Sequence, residues 1–162
     1  MNTLMQKLNQ LTSALKVIGA ICLVGMMALT CVDVVGRYFG HPIFGSVEIV
    51  GFLATLAVAL ALPYTHREKG HIGVEILVRL FSDKIQAIIE LTTSIISLAL
   101  FIVVTWRMAV YARTMQKSGE VSMNLQFPEA IIIYITAFCF CMFALMILRD
   151  IVKSISYLSK GS

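Results

Sequence analysis

Four long apolar runs alternate with short polar segments along this chain. A helix needs roughly 20 apolar residues to cross about 30 Å of hydrocarbon at about 1.5 Å per residue. The segments that approach or exceed that length are residues 17–36, 46–63, 85–106 and 130–148. The pattern predicts an all-α integral membrane protein, a single membrane domain over residues 1–162 with four transmembrane helices.

Two further segments carry apolar side chains at helical spacing. In residues 4–18, leucines recur one or two turns apart on one face. Residues 71–85 place Ile72 and Ile76 on one face and pair Glu75 with Arg79 on another. Both patterns predict amphipathic helices in the membrane interface, one at the N-terminus and one between spans 2 and 3. The alternative is that the spans continue as helices beyond the membrane.

The distribution of lysine and arginine predicts the orientation in the membrane. One side holds Lys7, Lys16, Arg67, Lys69, Arg79, Lys84, Arg149, Lys153 and Lys160. The other side holds Arg37, Arg107, Arg113 and Lys117. Because cytoplasmic loops are enriched in lysine and arginine, we expect both termini and the middle loop in the cytoplasm. The turn between spans 1 and 2 and the loop from 107 to 129 then face outward.

Composition argues against a soluble protein and against a nucleic-acid partner. Hydrophobic residues make up 59% of the chain and charged residues 14%, whereas soluble domains carry about 25% charged residues. The net charge of +4 is spread between the apolar runs and forms no basic block. The 4 cysteines lie inside apolar runs, at spacings that suit neither a redox pair nor a zinc site, and we interpret them as packing residues.

The sequence shows no pattern of catalytic or cofactor-binding residues. His41, His66 and His71 lie in turns or interfacial segments, whereas haem ligation in a membrane bundle needs histidines within the spans. No metalloprotease, phosphate-loop or hydrolase motif occurs in the sequence. We therefore expect that the chain is not an enzyme and that it holds no cofactor or metal.

Charged residues within or beside the predicted spans are the strongest candidates for function. A carboxylate in hydrocarbon is costly, so it marks either a pathway or a buried pair. Asp33 precedes Arg37 by one helical turn, the spacing of an ion pair. Glu48 opens span 2 at about the same depth and can face Arg37 across the turn. We predict a three-member cluster that ties spans 1 and 2 together at the outer surface, with a proton relay as the alternative. Glu90, near the inner end of span 3, can reach Lys84, the headgroups or a partner.

Three stretches of sequence occur in a characteristic order among the spans. They are "VDVVGRYFGHPIFGSVEI", "YTHREKGHIGVEIL" and "SGEVSMNLQFPEAIIIY". In order and spacing they resemble the small membrane subunit, the DctQ-like small permease, of tripartite ATP-independent periplasmic (TRAP) transporters. The resemblance covers roughly residues 17 to 148.

Four elements of that family's pattern are present. They are an arginine–aromatic pair after span 1, a Gly-x-Pro turn before an acidic residue, a Gly-His-Ile with a later acidic residue, and a glycine and proline before span 4. In this order the matching positions are Arg37, Tyr38, Gly40, Pro42, Glu48, Gly70, His71, Ile72, Glu75, Gly119 and Pro128. Many members carry a tryptophan and two acidic residues after the turn, where this chain has Gly45 and a single acidic residue.

The resemblance implies a role in transport across the bacterial inner (cytoplasmic) membrane. It implies a small, non-catalytic scaffold subunit that binds a much larger membrane subunit. The large subunit carries the sodium and substrate sites, so no cofactor is expected in this chain. A periplasmic substrate-binding protein captures the substrate, typically an organic acid, and docks on the outer face.

Two other functions stay open from the residues alone. One is a self-sufficient small proton-coupled exporter that acts as a homo-oligomer, which requires a carboxylate open to a water-filled cavity. The other is a structural anchor in a respiratory or other enzyme complex.

Overall fold

Four long α-helices make up the computed structural model, which describes residues 2–68 and 82–160. In chain order they are α1 (Asn2–Tyr38), α2 (Ser46–Arg67), α3 (Asp83–Ser118) and α4 (Glu129–Lys160). Each contains a segment long and apolar enough to cross a membrane: Leu8–Tyr38, Ser46–Arg67, Ile88–Ser118 and Glu129–Val152. The prediction of an all-helical chain with four candidate spans is confirmed.

The helices are longer than the apolar runs that predicted them. Because α1 is unbroken from Asn2 to Tyr38, the amphipathic segment 4–18 belongs to the first span's helix and is not a separate one. The predicted interfacial helix in residues 71–85 falls mostly outside the described residues.

The largest difference between prediction and structure is at the end of α3. The prediction ended span 3 at Trp106 and placed Arg107 in a loop, but the helix continues to Ser118. Apolarity falls at Arg107, yet the chain meets no helix-breaking residue until Gly119, which ends α3 in the left-handed conformation (φ 68°). Hydropathy predicts the length of the apolar segment, whereas the helix itself ends at the first residue that disfavours helical conformation.

The helices pack side by side in the order α1–α2–α4–α3. One core cluster joins α1, α2 and α4 through Leu15, Ala59, Leu60, Cys139 and Met142. A second cluster centres on Phe143 and Ile147 of α4, with Phe101 of α3 and Leu62 of α2 packed against it. In the most apolar window of each helix, 39% of residues are buried in α4 and none (0%) in α3. α2 and α4 are therefore the two inner helices, with α4 the more buried of them, and α1 and α3 form the two edges.

Different parts of the chain lie at the two ends of this row of helices. At one end lie the α1–α2 turn, residues 39–45, and the α3–α4 loop, residues 119–128. We call this the hairpin end. At the opposite end the N-terminal part of α1 lies beside the last turn of α2, and we call it the Asn9 end. The predicted orientation, with the hairpin end outside the cell and the termini in the cytoplasm, stays a prediction.

A close helix approach generates a test of this packing. A Cβ atom on Gly19 would lie 3.2 Å from the carbonyl oxygen of Ala57 and 3.3 Å from the Cβ of Leu60, whereas one on Gly51 would meet nothing within 4 Å. We expect Gly19→Leu to destabilise the protein by about 1–3 kcal/mol, because the added side chain forces α1 and α2 apart. Thermal unfolding in detergent measures the change, with Gly51→Leu as the matched control. Equal melting temperatures for the two variants would contradict the packing.

Candidate partner-binding site at the hairpin end

An ion pair joins the end of α1 to the turn that follows it. Arg37 Nε donates to Asp33 Oδ2 at 2.8 Å, one helical turn apart, as predicted. Asp33 Oδ1 accepts from the backbone N–H of Ile43 at 2.9 Å, and Arg37 Nη2 lies 3.5 Å from Ser46 Oγ at the start of α2. Asp33 is only 7% exposed. Both carboxylate oxygens of Asp33 are therefore hydrogen-bonded, one to Arg37 on the same helix and the other to the turn.

Glu48 does not complete this cluster, and the prediction that it faces Arg37 is wrong. In the described residues, the carboxylate that pairs with Arg37 is Asp33. Glu48 instead reaches the α3–α4 loop: Oε1 accepts from the backbone N–H of Asn124 at 2.8 Å and from its Nδ2 at 2.9 Å. Oε2 accepts from the N–H of Leu125 at 3.0 Å. Loop amides have no helical partners, so an anionic acceptor satisfies several of them at once.

The α3–α4 loop also closes on itself. The N–H of Ser122 donates to the carbonyl of Phe127 at 3.0 Å, and Phe127 N–H donates to the Ser122 hydroxyl at 3.2 Å. Ser122 is buried, and Val121 and Pro128 form an isolated bridge at the base of the loop. The loop is therefore a defined surface element, held from inside by Ser122 and from α2 by Glu48.

Gly45 lets α2 and this loop approach each other. Its φ is 71°, a conformation that side chains disfavour, and a Cβ there would lie 2.6 Å from Cγ of Leu125. Leu125 thus occupies the space beside position 45. This contact gives a physical reason for a glycine at the position where a bulkier residue was expected by resemblance.

Large apolar side chains surround these polar contacts. Tyr38 is 85% exposed and Met123 96% exposed, and Phe39, Phe44 and Val47 are also mostly exposed. We call these five residues the end patch. Tyr38 was predicted at the partner-docking site, and its ring packs only edge-on against Phe39, at 5.3 Å between centroids. Exposed apolar groups beside anchored polar ones are typical of binding surfaces.

Two of the family-motif positions come together at the other side of the loop. Gly119 and Pro128 line one cavity of about 400 Å³ together with Met115, Ile131 and Tyr134. Gly40 and Pro42 lie in the α1–α2 turn. The positions Gly70, His71, Ile72 and Glu75 lie outside the described residues. Glu90 is exposed on α3, toward the Asn9 end and far along the helix from the hairpin end.

A second polar cluster, which the sequence analysis missed, lies at the Asn9 end. Arg67 Nη1 donates to the carbonyl of Asn9 at 3.1 Å and to the hydroxyls of Thr12 and Ser13, both at 3.2 Å. Arg149 Nη1 donates to Asn9 Oδ1 at 3.2 Å. These contacts join α1, α2 and α4. The sequence does show small polar residues close together in α1, namely Asn9, Thr12 and Ser13, but it does not identify their partners.

Comparison with known proteins gives one family. The family model for tripartite ATP-independent periplasmic transporters, DctQ component, matches residues 26–156. The match includes the Asp33–Arg37 pair, the end patch and the α3–α4 loop, with the last third of α1, all of α2 and α3 and most of α4. No curated protein matches the chain.

The contacts of Glu48 generate a test at the loop. We expect Glu48→Ala to raise hydrogen exchange at the amides of Asn124 and Leu125 by about tenfold or more, because each loses a bond to an ionised acceptor worth about 1.5–3 kcal/mol. Exchange followed by mass spectrometry measures it. Glu120→Ala is the control, since the Glu120 carboxylate accepts only from Ser118 in the described structure. Unchanged exchange in the Glu48 variant would show that the carboxylate does not hold the loop.

Proposed function

Because this chain belongs to the DctQ family, the small membrane component of TRAP transporters, we propose that it is a non-catalytic scaffold subunit. It binds the large membrane subunit within the bilayer and offers the hairpin end to the periplasmic substrate-binding protein. The complete transporter imports an organic acid by sodium symport, with sodium and substrate held in the large subunit. The chain is then a multi-pass protein of the bacterial inner membrane with both termini in the cytoplasm.

The match over residues 26–156 is the observation that carries this proposal. The arrangement of helices supports it, since α1 packs mainly on α2 and α3 mainly on α4, and both present long apolar faces outward. Two edge helices with exposed apolar faces suit a subunit whose role is to bind another membrane protein.

The hairpin end supports docking of a soluble partner. The Asp33–Arg37 pair and the Glu48 contacts fix the α1–α2 turn and the α3–α4 loop as one surface. Fixed loops lose little conformational entropy when a partner binds. The end patch supplies apolar area beside the charged Arg37, whose side chain is 55% exposed.

The same contacts weigh against a self-sufficient proton-coupled exporter. A carboxylate that carries protons must be reachable from water and able to release its partners. Both oxygens of Asp33 are occupied and the residue is buried, and Glu48 accepts three hydrogen bonds from the loop. Neither geometry resembles a site that opens and closes with each transport cycle.

Native mass spectrometry of the tagged chain, purified gently from the membranes of its own host, tests the proposal directly. We expect a one-to-one complex with a much larger multi-span protein. Self-assembly of this chain with no large partner would overturn the proposal, and flux driven by pH from the purified chain alone would establish the exporter instead. A co-purifying redox chain would identify an anchor for an enzyme complex.

Charge reversal at the hairpin end tests the docking role. We expect Arg37→Glu to lower substrate uptake by about tenfold or more, because it places a second carboxylate beside Asp33 and reverses the exposed charge of the docking surface. Membrane insertion should be retained, which fractionation checks. Lys16→Glu makes the same reversal on the same helix at the opposite end, and its uptake should stay near that of the unmodified protein. Wild-type uptake in the Arg37 variant would remove the docking role.

A further inference from the structure

The outer face of α3 carries a straight stripe with one charge in it. The stripe follows helical spacing through Ile96, Leu100, Val103, Arg107 and Tyr111. Its four uncharged members are each more than half exposed, and Arg107 is exposed as well. Since α3 packs on α4, this face points away from the helix that holds it.

Contacts between α3 and α4 fix how deep Arg107 lies. Tyr134 Oη donates to Gln116 Oε1 at 3.3 Å, and the rings of Phe101 and Phe140 lie 5.7 Å apart. Arg107 is between these two levels, beside the apolar run of α4. It lies nine residues, or about 14 Å at about 1.5 Å per residue, along α3 from Gln116 toward the Asn9 end. The backbone of Arg107 therefore lies at the depth of the apolar run of α4, although the sequence alone placed this residue in an outer loop.

Within the described residues, Arg107 has no hydrogen bond or ion pair. Three other arginines of the candidate spans have partners: Arg37 pairs with Asp33, and Arg67 and Arg149 both bind Asn9. Arg113 also has no hydrogen bond or ion pair in the described residues, but it lies off the stripe and six residues nearer the end of α3. An unpaired guanidinium that faces hydrocarbon is costly and is retained where an anion meets it. The chain itself supplies no such anion to Arg107 in its described part.

We infer that this stripe is the surface on which a transmembrane helix of the large membrane subunit packs, and that this helix places a carboxylate against Arg107. The inference rests on the proposed function and adds to it the contacting face and the chemistry of the partner. Charge complementarity selects a carboxylate, and the aligned apolar side chains on both sides of Arg107 suit a helix that runs along α3.

A second copy of the chain fits this surface poorly. Copies in one membrane share an orientation, and a two-fold contact along α3 would bring each residue of the stripe close to its own equivalent. Two guanidinium groups would then face each other in a medium of low dielectric constant, where their repulsion is strong. The other possible anion is a lipid phosphate, which Arg107 could reach by extending its side chain toward the headgroups.

Substitutions on α3 separate these cases. The measurement is the amount of large subunit retained by the tagged chain in native mass spectrometry, after co-expression of both. We expect Arg107→Leu to lower retention by about tenfold or more, because a carboxylate is left buried without its partner. Arg107→Lys should retain more of the complex than Arg107→Leu, since it keeps the charge. Arg113→Leu makes the same change on the same helix, about 120° around its axis, and should retain the wild-type amount.

Two results would overturn the inference while leaving the proposed function intact. They are full retention in Arg107→Leu, which is the result expected if the arginine only meets lipid phosphate, and equal loss in Arg107→Leu and Arg113→Leu. A wild-type chain with no large partner would overturn the proposed function itself.

A photoreactive benzoylphenylalanine in place of Val103 decides the case if Arg107→Leu fails to accumulate. This position lies one turn from Arg107 on the same stripe. We expect a covalent adduct with the large subunit on illumination. Adducts with lipid alone would overturn the inference.

Discussion

Within lipid, apolar side chains gain little by meeting one another, so polar contacts and close packing must hold the helices in register. This chain concentrates its polar contacts at the two ends of the row. At the hairpin end, Asp33 ties α1 to the turn and Glu48 ties α2 to the α3–α4 loop. At the Asn9 end, Arg67 and Arg149 bind α1 from α2 and α4. Between the ends the packing is apolar, as in the edge-on contact of Phe101 with Phe143 at 4.4 Å between ring centroids.

The range of each interaction along the chain explains what the sequence could predict. The four spans follow from apolar length, and the Asp33–Arg37 pair follows from helical spacing, because both are local properties. The partners of Glu48 lie 76 and 77 residues away, and no local pattern distinguishes them from Arg37, which lies much nearer in sequence. The end of α3 was misplaced for a different reason: Arg107 lowers hydropathy without interrupting the helix. The long-range partners of Glu48 became evident only in the folded structure.

The arrangement also separates two kinds of surface. The hairpin end presents anchored loops with polar and aromatic groups, which suits a partner in water, whereas the outer faces of α1 and α3 are mostly apolar and suit lipid or another membrane protein. α4 contributes to neither edge, since it packs between α2 and α3. Because the hairpin end and the outer faces of the edge helices are separate surfaces, two partners that bound one each would not compete.

The contact of Glu48 with the α3–α4 loop also has a consequence for biogenesis. Synthesis proceeds from the N-terminus, so Asp33 meets Arg37 as soon as the first helix forms, whereas the backbone partners of Glu48 are made 76 and 77 residues later. Until α3 and the loop after it have been made, this carboxylate lacks those partners. The polar contacts of the hairpin end therefore form in two stages, the first within α1 and its turn and the second only after the third helix, and a chain that stops before the α3–α4 loop carries an acidic group without its loop partners.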